Sequence, residues 1–229
     1  MKNIWKSVLL FCALAICLTA AQASAALPEG HEEFMKNEYY KNCFEAFSKV
    51  MNEAKEGFTQ DEYKAFEKEV FDRISAYEKT ASNVESVLGA EVYGEIYARV
   101  IDNFITDELR WNKLRKNPEG AQGFYRLKSE TFEGYMAVEK GYEDDYYGVE
   151  IYVLNKEQSA YFEGLGKLSD GKMPAYYVYE SDVEFIVTID FEGDTAKAEA
   201  NQAWKDMSKE DGDAPIDGEY VREYQRKTK

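Results

Sequence analysis

The sequence predicts an α+β protein, with an antiparallel helical module over residues 26–117 followed by an antiparallel β-barrel or curled meander over 121–229. Three observations carry that prediction. Apolar residues recur at helical spacing before Asn117-Pro118-Glu119-Gly120 and alternate with polar ones after it. Capping signals punctuate the first half, and tight glycine turns punctuate the second. Ahead of both lie 25 residues with the layout of an export signal.

Those first residues are in the order a signal peptide requires. Lys2 and Lys6 give a positive start, Val8 to Ala20 form an apolar run broken only by Thr19, and Ala23-Ser24-Ala25 offers a small-x-small cleavage site. The cut is expected before Ala26, with Ala23 as the alternative end. The run is shorter than the roughly 20 residues of a spanning helix, and no later segment is apolar enough to cross a membrane. Leu14-Ala15-Ile16-Cys17 has the outline of a lipobox, but Ile16 stands where a small residue belongs. The expected localisation is therefore periplasmic or secreted.

The first helix is expected from about Glu32 to Lys55. Tyr40, Cys43, Phe44, Phe47, Val50, Met51 and Ala54 share one stripe, and Gly57 ends it. Cys43 lies in that stripe and reads as a buried, inert thiol. It is the sole cysteine past residue 25, so no disulfide can form within residues 26–229. Thr59-Gln60-Asp61-Glu62 is a capping box that opens a second helix with Tyr63, Phe66, Val70, Ile74 and Tyr77 inward. Ser82-Asn83-Val84-Glu85 repeats the pattern for a third. That helix runs through Ile96, Val100, Phe104 and Trp111 to Lys116, with a break at Gly89.

Seven or eight strands are expected beyond Gly120. Val149, Ile151 and Val153 alternate with polar or aromatic neighbours, as do Val183 to Phe191 and Ala196, Ala198 and Ala200. Ser169-Asp170-Gly171-Lys172 and Glu192-Gly193-Asp194 read as hairpin turns. The first strand opens Gly123-Phe124-Tyr125 and the last opens Gly218-Glu219-Tyr220. This shared Gly-x-Tyr opening suits first and last strands that lie side by side.

Charge narrows the partners. Residues 1–25 hold two of the 28 Lys and Arg and none of the 44 Asp and Glu, which takes the formal charge from −16 to −18 in the remainder. Such a surface repels nucleic acid and anionic headgroups and favours a cationic partner: a basic protein, a polyamine or a divalent metal. Catalytic and cofactor motifs are missing. Gly164-Leu165-Gly166-Lys167 lacks phosphate-loop spacing and reads as a strand bend. There is no nucleophile elbow, and His31 is the single histidine. Zinc would lack its usual ligands. The carboxylates of Asp211, Asp213 and Asp217 miss calcium-loop spacing because Pro215 holds the fifth position. No cofactor, metal or catalytic residue is expected. The most conspicuous polar segment is Tyr142-Glu143-Asp144-Asp145-Tyr146-Tyr147, where carboxylates between aromatics suit a cationic partner.

Residues 91–116, with Tyr93, Leu109, Trp111 and Arg115, resemble the helical LprI-type lysozyme inhibitors, in which an aromatic, a Leu and a Trp-x-x-x-Arg close the last helix. Residues 123–224, with the Gly-x-Tyr openings and Val183 to Phe191, resemble small-barrel periplasmic proteins that include the membrane-bound inhibitors of c-type lysozyme. Both families use disulfides, and the Ser-Gly-x-x-Tyr loop of the inhibitors is absent here. The resemblance implies lysozyme binding and assigns no functional residue. The expected function is thus that of an exported, acidic, non-catalytic binding protein for a basic partner such as lysozyme. The alternatives are a carboxylate-based extracytoplasmic hydrolase and a structural envelope protein.

Overall fold

Asn37 decides where the first long helix starts. The computed structural model describes residues 27–84, 88–141, 145–178 and 183–226. It sets a short helix, α1 (His31–Phe34), ahead of α2 (Glu38–Gly57). The Asn37 side chain accepts from the Tyr40 backbone N–H at 3.0 Å, so the helix expected from Glu32 is interrupted by a cap that competes with the backbone ladder. The capping box of α3 (Gln60–Ser82) forms as expected. Glu62 accepts from the Thr59 N–H at 2.8 Å, and Thr59 Oγ1 accepts from the Glu62 N–H.

The third capping signal does not operate as one. Ser82 is the last residue of α3, and its hydroxyl donates back to the Glu78 carbonyl at 2.8 Å. Glu85 lies outside the described residues. The next helix, α4 (Ala90–Val100), starts instead after Gly89, passes through a π-helical turn at Ile101–Ile105, and leads into α5 (Thr106–Lys116). Aromatic contacts fill this first half: Phe47 stacks on Tyr97, and Phe66 bridges Phe58 and Phe104.

The chain divides into two compact units, 1–107 and 108–229. The division falls inside α5, ahead of the composition break at Asn117. The second unit is a closed eight-stranded antiparallel barrel in which each strand pairs with the next and β8 returns to β1. Its strands are β1 (Gly123–Leu127), β2 (Glu133–Lys140), β3 (Tyr146–Leu154), β4 (Ser159–Lys167), β5 (Lys172–Tyr177), β6 (Ile186–Glu192), β7 (Thr195–Ala200) and β8 (Gly218–Arg222). A helix, α6 (Gln202–Asp211), is inserted between β7 and β8. Strand β6 starts three residues later than its sequence pattern suggests, although the Phe185 carbonyl still accepts from the Tyr177 N–H at 3.0 Å.

Period-two burial follows the sequence closely. Val149, Ile151, Val153, Val187, Ile189, Ala196, Ala198 and Ala200 all point into the barrel. Asp170 and Gly171 both take positive φ between β4 and β5, the backbone of a type I′ turn that matches strand twist. Gly164 and Gly166 form no bend. They sit within β4 and face inward, where a Cβ on Gly164 would lie 2.6 Å from the Phe162 ring and one on Gly166 2.6 Å from Met173. Two missing side chains on β4 therefore make room for the Phe162 ring and Met173.

Each strand of the seam between β1 and β8 is anchored at its own entry. Tyr125 donates to the Ala121 carbonyl and Tyr220 to the Ile216 carbonyl, each at 2.8 Å and each four residues back. The two Gly-x-Tyr openings thus make the same corner at opposite rims. Beside the seam, Glu223 accepts from Arg115 Nε at 3.0 Å and from Arg126 Nε at 3.2 Å. Glu108 lies 2.9 Å from Arg226 Nε and 3.6 Å from Arg115. Arg115 is 1% exposed at its side chain. Burial lowers its pKa, and Glu108 and Glu223 oppose that shift. Trp111 and Leu114 of α5 pack with Phe124, Tyr135 and Ala137 of β1 and β2.

Candidate binding face

The polar segment singled out in the sequence is divided by the pleat of β3. Tyr142, Glu143 and Asp144 lie outside the described residues. Asp145 pairs with Lys167 at 3.4 Å, and its carbonyl accepts from the Leu168 N–H at 3.0 Å. Tyr146 faces outward with the Lys167 ammonium 5.7 Å from its ring centre. Tyr147 is one residue further, so it turns inward and joins the barrel core. Of the six residues, Asp145 and Tyr146 stand together on the outer surface.

Their neighbours are set by register. Tyr146 pairs with Lys167, Gly148 with Leu165, Glu150 with Glu163, and Tyr152 with Tyr161 across β3 and β4. Leu165 pairs in turn with Tyr176 of β5. The Val178 N–H donates to the Glu163 carbonyl at 3.1 Å and continues that row. These pairings put Tyr146, Tyr161, Leu165, Tyr176 and Val178 on one outer face, every one of them more than two-fifths exposed. Gly148 adds no side chain beside Leu165, which is 55% exposed, the highest of the five. A hydrophobic residue directly beside a tyrosine on a wet sheet face costs solvation that a partner would relieve.

Carboxylates frame the band. Glu150 and Glu163 sit directly opposite each other, an arrangement that is unfavourable for like charges. Arg110 offsets it by pairing with Glu150, whose other oxygen accepts from the Tyr135 hydroxyl at 2.8 Å. Glu163 accepts from the Tyr161 hydroxyl at 3.3 Å. Glu150 is thus committed to an ion pair. Among the described residues no group of three His, Cys, Asp or Glu could hold a metal ion.

No family model matches the chain, and neither a curated protein nor a solved structure matches it. Sequence reasoning missed Tyr161, Leu165, Tyr176 and Val178, which are distant in sequence from Tyr146 and adjacent only through the pairing of β3, β4 and β5. The available signal was an aliphatic residue at the wet phase of a strand: Leu165 stands exposed between two inward glycines of β4.

Proposed function

We propose that this is an exported, non-catalytic binding protein that captures a basic protein partner on the outer face of β3, β4 and β5. The observation that carries the reading is the exposed band Tyr146, Tyr161, Leu165, Tyr176 and Val178 on a chain of net charge −16. Tyrosines supply contact area at small entropic cost, while long-range charge brings the basic partner in. Export rests on the layout of residues 1–25, with cleavage before Ala26. Lysozyme, a basic protein, is the partner to test first.

Calorimetric titration of the protein against lysozyme decides it, with Leu165→Asp and Tyr176→Ala alongside. Binding is expected at low salt and should weaken, without vanishing, at 1 M salt, where the Debye length falls to about 3 Å. Each substitution should weaken it about tenfold or more, as for a buried anchor at an interface centre. Absence of heat at low salt would remove lysozyme. Binding that survives both substitutions would remove this face.

A further inference from the structure

A cleft of about 440 Å³ opens beside α6, lined among others by Trp204, Lys205, Ser208 and Lys209 of the helix and by Asp213 and Asp217 of the segment leading to β8. Its charges are sorted by wall. The helix contributes two ammonium groups, and the opposing segment contributes two carboxylates. Lys205 and Asp217 are already joined at 2.9 Å, and Asp217 also accepts from the Ala200 N–H at 2.7 Å. That leaves Lys209 on one wall and Asp213 on the other for a guest. Trp204, Pro215 and Ile216 supply apolar surface between them.

Ser208 points to a ligand independently. It is 7% exposed, and its hydroxyl is buried without a hydrogen-bond partner. A helical serine ordinarily returns its hydroxyl to the carbonyl four residues back, as Ser82 does in α3. Ser208 does not, although an unmade buried hydrogen bond is costly. The segment is otherwise well fixed. The Asp213 N–H donates to the Ser208 carbonyl at 2.8 Å, and Gln158 Nε2 donates to the carbonyls of Gly212 and Asp213. A wall held this firmly, with the Ser208 hydroxyl and the Trp204 indole N–H left over, is preorganised for a small molecule.

We propose that this cleft binds a small zwitterion with an apolar side chain, of the α-amino-acid class. Its carboxylate is taken by the Ser208 hydroxyl and the Lys209 ammonium, its ammonium by Asp213, and its side chain by Trp204, Pro215 and Ile216. The four charges of the lining cancel, so a purely anionic guest would leave Asp213 without a counter-charge and a purely cationic one would leave Lys209 without one.

The test is titration with L-leucine, followed by the indole N–H resonance of Trp204, with that of Trp111 as internal control. Two probes accompany it: 4-methylpentanoate, which lacks the amine, and 3-methylbutylamine, which lacks the carboxylate. Leucine is expected to shift the Trp204 resonance saturably and to bind at least tenfold more tightly than either probe. Ser208→Ala should weaken leucine about tenfold, the usual cost of losing a hydrogen bond to a charged group. It should also raise Tm, because it removes an unsatisfied buried hydroxyl; a merely misfolded variant would lower it. Asp213→Asn, at a surface position, should abolish the preference for leucine over 4-methylpentanoate. No saturable shift with leucine, or equal binding of leucine and 4-methylpentanoate, overturns the proposal.

Discussion

At the scale of single residues, the charges beside the barrel seam are the most consequential. Three arginines, Arg115, Arg126 and Arg226, share two glutamates, Glu108 and Glu223, in an alternating row. Removing a glutamate would strand a guanidinium that burial already disfavours. Glu223→Gln is therefore expected to lower unfolding stability by about 3–5 kcal/mol, measured by urea denaturation. A loss under about 1 kcal/mol would show that Glu108 alone can satisfy Arg115. Arg115 and Trp111 were visible in the sequence as a spaced pair near a helix end. Their partners were not, because Glu223 lies 108 residues from Arg115, and no local pattern connects a helix residue to a carboxylate beyond the last strand.

At the scale of elements, most of the secondary structure was legible. Helical stripes in α2 and α3 and period-two alternation in β3, β6 and β7 are local signals, and burial follows them in the main, although Cys43, expected as a buried thiol, is half-buried like Phe44 and Val50. Two elements escaped. Helix α6 is short and lies between strands, although the Asn201 side chain accepting from the Trp204 N–H is an ordinary N-cap that the sequence offers. In β4, Gly164 and Gly166 looked like a bend because glycine weakens a strand by propensity, and only the closed barrel explains why they face inward. Gly166 stands where a Cβ would meet Met173 and the Pro174 carbonyl at 2.8 Å. Since the backbone there is held by the β5 pairing, Gly166→Ala should destabilise by about 1–3 kcal/mol. Thermal melting checks it, and an unchanged Tm would mean that the barrel wall yields.

At the scale of the whole molecule, the helical half, the barrel half and even the shared Gly-x-Tyr openings could be read from the sequence, whereas the binding face could not. Its residues come from three strands, and only closed pairing registers them. The division within α5 makes a further prediction. A fragment of residues 108–229 keeps Glu108, Trp111, Leu114 and Arg115, and one of residues 121–229 lacks all four. The shorter fragment should be less stable by roughly 3 kcal/mol or more in chemical denaturation, and equal stability would deny α5 any part in the barrel. Closure also has a consequence during synthesis. Seven of the eight strand pairs join consecutive strands and can zip up in the order they are made, but β1 must wait for β8, as Arg126 must wait 97 residues for Glu223. At a translation rate of about 5–20 residues per second, that wait lasts on the order of 5–20 seconds. Throughout it β1 is a bare edge, open to pairing with a strand of another nascent chain.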